Sequence, residues 1–334
     1  MDNTLQAVAF NGTRDHVIVL PISGGLRIFN TATLKETCCF SADEVGHINK
    51  AALLQRSNVV ALVAGFTKGK FPPNSVMIYD LRKRACIAEI EMTQDGSGPI
   101  LDVLFAHNHL VVVQRENATV FSLQPLRKAA SIKTGMNVKG LSAVGGTESW
   151  SSILALPHSV QGNVQMLALN SLKSPGYTPG SLLAAGSSEG TRIRIFDTVT
   201  RCLVSELRRG TDPASLHCLA FSPCSTYLAS SSDKGTVHIF ATLVSAGAGK
   251  GNHVSTRRSL ASFSLSPDTR THLAFYHRQG ANATEARNSM SVLALCMDGT
   301  AHRLAFSSSG FCERTDFDYL LQLSEDADFW TTPF

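Results

Sequence analysis

Two adjacent arginines and a glycine, Arg208-Arg209-Gly210, close an apolar run in the stretch SELRRGTDPASLHCLAF (205–221). A guanidinium presents a planar fork of donors that matches phosphate oxygens. Adjacent residues of a β-strand project to opposite faces. If the run is a strand, the two arginines therefore cannot share one pocket, and each must serve its own side. Gly210 reads as the residue that lets the chain turn tightly after them. The chemistry expected of the pair is the binding of two anions side by side.

The segments that flank the pair carry matching polar groups. In GSSEGTRIRIF (186–196), Ser187, Thr191 and Arg194 are interspersed with apolar residues. In SSSDKGTVHIF (230–240), Ser232, Thr236 and His238 hold the corresponding places. Each offers two hydroxyls and one basic side chain beside an arginine, a reasonable cradle for a phosphorylated sugar. His217 and Lys234 are weaker candidates for the second cradle. Other chemistries lack their residues. His107 and His109 have no cysteine or carboxylate nearby to complete a metal set, so no metal is expected. No G-x-S-x-G, HExxH or P-loop occurs, and FTKGKF (66–71) lacks the P-loop's closing Gly-Lys-Ser/Thr. Neither an enzyme nor a cofactor is expected.

The elements that must hold these residues are hairpins. A turn followed by an alternating strand recurs as GGLRIFN, NSVMIYD, NATVFSL, GNVQMLAL, GTRIRIFD, GTVHIFA and GTAHRLAF. Most have another apolar run before them, such as HVIVL or SVLALC, with turns such as DKG and MDG between. Seven hairpins, each the middle of a four-stranded sheet, predict an all-β, WD40-like seven-bladed β-propeller over 1–334. The marker residues Phe29, Tyr79, Phe121, Ala168, Phe196, Phe240 and Leu304 lie 50, 42, 47, 28, 44 and 64 residues apart. The 28-residue step is too short for a blade, so one strand is expected to be missing near 169–190. The 64-residue step must carry extra loop, for which 243–258 and 276–290 are the candidates.

With 43% apolar and 17% charged residues the chain can bury a core, which excludes global disorder. A net charge of +4 is too small for a general nucleic-acid binder, so anion preference must come from local clustering. The eight cysteines show no C-x-x-C and mostly sit in apolar runs, which predicts buried free thiols in a reducing compartment. The start MDNTLQAVAFNG lacks a basic and apolar leader, and no 18-residue apolar stretch predicts a membrane span.

LRRGTDP and SSDKGTVHIF together resemble the PROPPIN family, also called WIPI proteins, in its LRRG-bearing branch. QRSNVVALVAGFTKGKFPPNSVMIYD (55–80) and SVLALCMDGTAHRLAF (291–306) extend the resemblance over nearly the whole chain. It implies a monomeric propeller that binds phosphatidylinositol 3-phosphate and phosphatidylinositol 3,5-bisphosphate as an autophagy scaffold. The place implied is the cytoplasm, with recruitment to preautophagosomal, phagophore and endosomal membranes. It implies two lipid sites: Arg208 with Ser187, Thr191 and Arg194, and Arg209 with Ser232, Thr236 and His238. The family's first-site histidine has no counterpart in the short 169–190 region, so the first site is expected to be weakened. The family's long sixth-blade loop is short here; Leu243 and Val244 make a poor apolar wedge, and Lys250, Arg257 and Arg258 would act by charge alone. The resemblance also implies a partner, the large lipid-transfer protein of autophagy, met by a turn that includes Asn11 and Asp15. A protein-only propeller adaptor is the alternative.

Overall fold

A computed structural model describes residues 4–92, 98–145, 152–169, 182–242, 256–276 and 290–322. Leu243, Val244, Lys250 and the loop expected at 276–290 fall almost wholly outside these residues. Seven sheets follow one another along the chain, at 5–40, 46–91, 102–133, 143–168, 182–208, 216–264 and 271–319. Within each, successive strands pair antiparallel. First strands of neighbouring sheets adjoin in blades one to four and in six and seven, which makes them the inner wall of a ring. The ring closes where the Leu5 amide of blade one donates to the Met297 carbonyl of blade seven, at 2.8 Å. The seven-bladed propeller expected from the hairpins is the fold observed.

Alternation explains how a blade is buried on both faces. In the strand His16–Pro21, Val17 and Val19 pack on Leu293 and Leu295 of blade seven. Ile18 and Leu20, on the other face, pack on Val60 and Leu62 of blade two. Fully burying one such side chain stabilises by about 1.5–3 kcal/mol. Equivalent buried clusters lie between blades two and three, three and four, five and six, and six and seven. Among the described residues the junction of blades four and five has none. Blade five turns apolar Ile193, Ile195 and Leu207 toward blade six, and its opposite face carries Arg192, Arg194, Glu206 and Arg208 along with Leu183 and Ala185.

The short step in the spacing has a structural counterpart. The marker residue lies on the third strand of its sheet in six blades, but Phe196 lies on the second strand of blade five. Blade four has three strands, ending in Val164–Ala168. Two strand positions, the outer one of blade four and the inner one of blade five, are therefore unfilled among the described residues, where one was expected. Residues 170–181 lie between them, outside the description.

The expected sixth-blade loop also differs. Its end, Thr256–Arg258, is a strand that pairs parallel with Leu203–Arg208 and caps the outer edge of blade five. Three exposed cysteines, Cys86, Cys202 and Cys224, correct the expectation of burial; only Cys38 and Cys296 are buried. Cys86 opens an outer strand and Cys202 precedes one, where the apolar pattern faces solvent rather than a neighbouring blade. No helix among the described residues is long and apolar enough to cross a membrane.

Charged residues of several inner strands meet at the ring's centre. Burial, then the charges of Arg270 and Lys50, push the His272 imidazole down to about 4. Its ordinary value is 6.5, so on acidification the unfolded chain takes the proton first and stability falls between pH 6.5 and about 4. His272 should account for roughly 2 kcal/mol of lost stability by about pH 5. Chemical denaturation from pH 7 to 5 should show this loss, and His272→Gln should flatten it; an unchanged slope in the variant contradicts the assignment.

Candidate functional site

The strand Leu203–Arg208 pairs antiparallel with Arg192–Asp197, with Arg208 opposite Arg192 and Leu207 opposite Ile193. Leu207 and Ile193 are both fully buried against blade six, so Arg208 and Arg192 point away from it and are exposed. The ladder runs one residue further: the Arg209 amide donates to the Thr191 carbonyl at 2.9 Å. Arg209 thus shares the Leu207 face and turns toward blade six. The neighbouring arginines emerge from opposite faces of one strand, as alternation requires.

Arg209 is only 9% exposed. Its Nε donates to the Gly190 carbonyl at 2.7 Å, and an Nη donates to the Asp212 carbonyl. Both partners are neutral carbonyls, so orientation is set while no carboxylate among the described residues pairs with the positive charge. Gly190 makes this possible. Its φ is +64°, and a Cβ there would stand 1.9 Å from the Ala214 carbonyl oxygen. Gly210, by contrast, has no positive φ and open space around it. This corrects the expectation that Gly210 supplies the tight turn: the residue that must be glycine is Gly190.

Blade six presents its own polar face to Arg209. Phe240 packs with Leu207 in the core between the two blades, and His238 stacks on Phe240 with centroids 6.1 Å apart. Two-residue periodicity places Thr236 on that face with His238, and Ser232 with Ser230, which is paired opposite His238. Burial, then the charge of Arg209, holds the His238 imidazole below its ordinary value. Ser205 Oγ, Ser230 Oγ and His238 Nδ1 are buried without a hydrogen-bond partner among the described residues. Ser205 lies on the Arg209 face of its strand, two residues before Leu207. Buried polar atoms in a folded protein almost always have partners. His238 is near enough to feel the charge of Arg209, Ser230 is its cross-strand neighbour, and Arg209 has no carboxylate partner among the described residues, an arrangement that can accept a polar, anionic guest at the seam between blades five and six.

The other face of blade five is assembled differently from the expected first site. Arg194 does not stand free: its Nε donates to Glu206 Oε2 at 3.1 Å, and Arg192 Nη1 donates to Glu206 Oε1 at 2.9 Å. Thr191 lies opposite Arg209 in the ladder, so the register groups it with Arg209 and not with Arg208. Ser187 stays with Arg208's side, since its amide bonds to the Arg192 carbonyl at 2.8 Å and its hydroxyl accepts from the Arg192 amide at 3.2 Å. Arg192, Glu206, Ser205, Ser230 and Gly190 were not singled out in the sequence. The alternation in TRIRIF and SELRRG carries Arg192 and Glu206; the buried serines have no sequence signal apart from their place among apolar neighbours.

The weaker candidates are spread out. His217 sits at the bulge between Leu216 and Cys218, its imidazole pushed down by burial and then by Arg270. Its electrostatic neighbours, Arg270, Asp233 and Lys139, place it toward the ring's centre. Lys234 is exposed on the turn before Thr236. Asn11 is 3% exposed and fully engaged: its amide donates to Thr13, Asp15 and the Gln55 carbonyl, and its oxygen accepts from the His16 amide. Asp15 pairs with Arg56 and His16. Hydrogen bonds from His16, Thr13 and Asn11 hold its carboxyl far below the usual range despite burial, which opposes them. Asn11 therefore shapes a turn and offers no surface to a partner, contrary to the expectation from the sequence.

No family model matches the chain. Curated relatives do. The Ectopic P granules protein 6 of Caenorhabditis elegans is 31% identical over 315 residues, covering 87% of this chain and 80% of that protein. Autophagy-related protein 18e of Arabidopsis thaliana is 31% identical over 253 residues, covering 72% and 66% respectively. Among solved structures, Kluyveromyces lactis Hsv2 superposes with a TM-score of 0.70 at 20% identity, covering 95% of this chain and 99% of that one. The chain in a complex of KlAtg21 with the coiled-coil of AgAtg16 gives 0.72 at 19% identity over the same shares. With its seven blades, its LRRG strand and these relatives over most of its length, the chain belongs to the PROPPIN family.

Proposed function

We propose that this protein docks on membranes by gripping phosphoinositide headgroups, phosphatidylinositol 3-phosphate and phosphatidylinositol 3,5-bisphosphate, and serves as a non-catalytic autophagy scaffold. The observation that carries the reading is the buried Arg209 guanidinium, without a carboxylate partner among the described residues, near the unpartnered His238 Nδ1. A phosphate monoester supplies what that seam lacks: negative charge and several acceptor oxygens. Arg208 offers a second cation on the opposite face, so one propeller engages two headgroups. The second event is then intramolecular and raises avidity by roughly 10²–10⁴. Relatives named for autophagy give the biological setting. Protein partners of that setting, such as the large lipid-transfer protein or a coiled coil, belong to the same proposal.

Vesicle flotation tests the reading. The protein should float with vesicles containing phosphatidylinositol 3-phosphate and stay at the bottom with phosphatidylcholine alone. Raising salt should weaken capture by exposed Arg208 more than by buried Arg209. Equal behaviour on the two vesicle types would leave the protein-only adaptor as the function.

A further inference from the structure

The face of blade five that turns away from blade six carries one transverse row: Ser187, just past the strand Leu182–Gly186, then Arg192, Arg208 and Arg258. The register sets it. Ser187 bonds to Arg192 through the backbone, Arg192 lies opposite Arg208, and Arg208 lies opposite Arg258 of the parallel strand Thr256–Arg258. Neighbouring strands are about 4.8 Å apart, so the backbones of the three arginines span roughly 10 Å. Arginine side chains that long converge on one point without strain. All three are exposed.

Like charges directly opposite one another on a sheet repel. In the adjacent row Arg194 lies opposite Glu206, and Glu206 lies opposite Thr256. Glu206 is shared between Arg192 and Arg194, which leaves Arg208 and Arg258 with no carboxylate among the described residues. Four arginines against one glutamate leave three positive charges on this patch. The strand that contributes Arg258 lies in the chain between two strands of blade six, Thr236–Ala241 and Ala261–Ser264, yet pairs with blade five.

We propose that Arg192, Arg208 and Arg258 close together on one phosphate monoester dianion, and that the Thr256–Arg258 segment is a strap which the ligand ties to blade five. This rests on the phosphoinositide reading above and deepens it: it names the cations of Arg208's site and makes a blade-six segment part of it. The negative ligand removes the repulsion along the row, so binding stabilises the short parallel pairing.

Calorimetric titration with inositol 1,3-bisphosphate, with inorganic phosphate, and with phosphatidylinositol 3-phosphate vesicles tests this. Arg258→Gln and Arg192→Gln should each weaken one of two headgroup-binding events about tenfold, the loss of one charge-assisted contact. Arg127→Gln, an exposed arginine on blade three, should change nothing. Hydrogen exchange across 256–258 should slow when inositol 1,3-bisphosphate is added to the wild type. If inorganic phosphate binds as well as the headgroup and loses the same factor in Arg258→Gln, the row stands and its ligand is free phosphate. If Arg258→Gln and Arg192→Gln titrate as wild type while Arg208→Gln loses an event, the arginine row is overturned and the phosphoinositide reading survives. A wild type that binds neither headgroup nor vesicles overturns both.

Discussion

Changing Arg208 and Arg209 together to glutamine is expected to abolish capture by phosphatidylinositol 3-phosphate vesicles, while the two single changes part company on stability. Arg208 is exposed and unpaired, so Arg208→Gln should leave the thermal midpoint within experimental error. Arg209 is buried and donates to the Gly190 and Asp212 carbonyls. Arg209→Gln leaves the buried Gly190 carbonyl short of its donor, a cost of about 1–3 kcal/mol, and the midpoint should drop by a few degrees. On vesicles each single variant loses a charge-assisted contact and the avidity that links the two sites, so capture should fall by roughly 10²-fold or more. The double variant should be indistinguishable from protein on phosphatidylcholine. Paired measurements of midpoint and capture check this. A double variant that binds normally while remaining folded removes the arginines from the site.

The second large effect concerns a residue that touches no ligand. Gly190→Ala puts a Cβ 1.9 Å from the Ala214 carbonyl oxygen and forces an alanine into φ +64°. The turn and the Ala214–Glu189 backbone bond, 2.9 Å long, cannot both survive. The expected loss is above about 3 kcal/mol, with Arg209 losing the carbonyl that orients it. Gly210→Ala, twenty residues on and part of the R-R-G motif itself, meets nothing within 4 Å and has no positive φ. It should be neutral or gain a few tenths of a kcal/mol from a stiffer unfolded chain. Denaturation midpoints of the two variants decide the matter. Equal midpoints would mean that the turn at Gly190 tolerates a side chain and does not hold the site.

The propeller was legible in the sequence because strand alternation is a local signal, and seven repeats of it leave few alternatives. The division of Arg208 and Arg209 between two faces was legible for the same reason. What sequence reading lost was register. Thr191 and Arg194 look like members of one set in GTRIRIF, yet they are an odd number of residues apart, and Thr191 falls opposite Arg209. The role given to Gly210 went to Gly190 because glycine demand depends on what lies beside the turn, here the Ala214 carbonyl. The strand at Thr256–Arg258 has no sequence signature, since three residues carry no periodicity and a parallel pairing forms between segments about fifty residues apart. Asn11 is implied by the resemblance to meet a partner, whereas its amide is consumed by the turn it closes. In each case a distant neighbour decided the outcome, and no local pattern encodes it.

The number of soluble headgroups bound per chain tests the central claim most directly. Equilibrium dialysis with inositol 1,3-bisphosphate should find two in the wild type, one in Arg208→Gln, one in Arg209→Gln and none when both are changed. A single headgroup in the wild type, lost equally in either single variant, would mean that the two guanidiniums share one pocket and that the opposed faces of their strand play no part in binding.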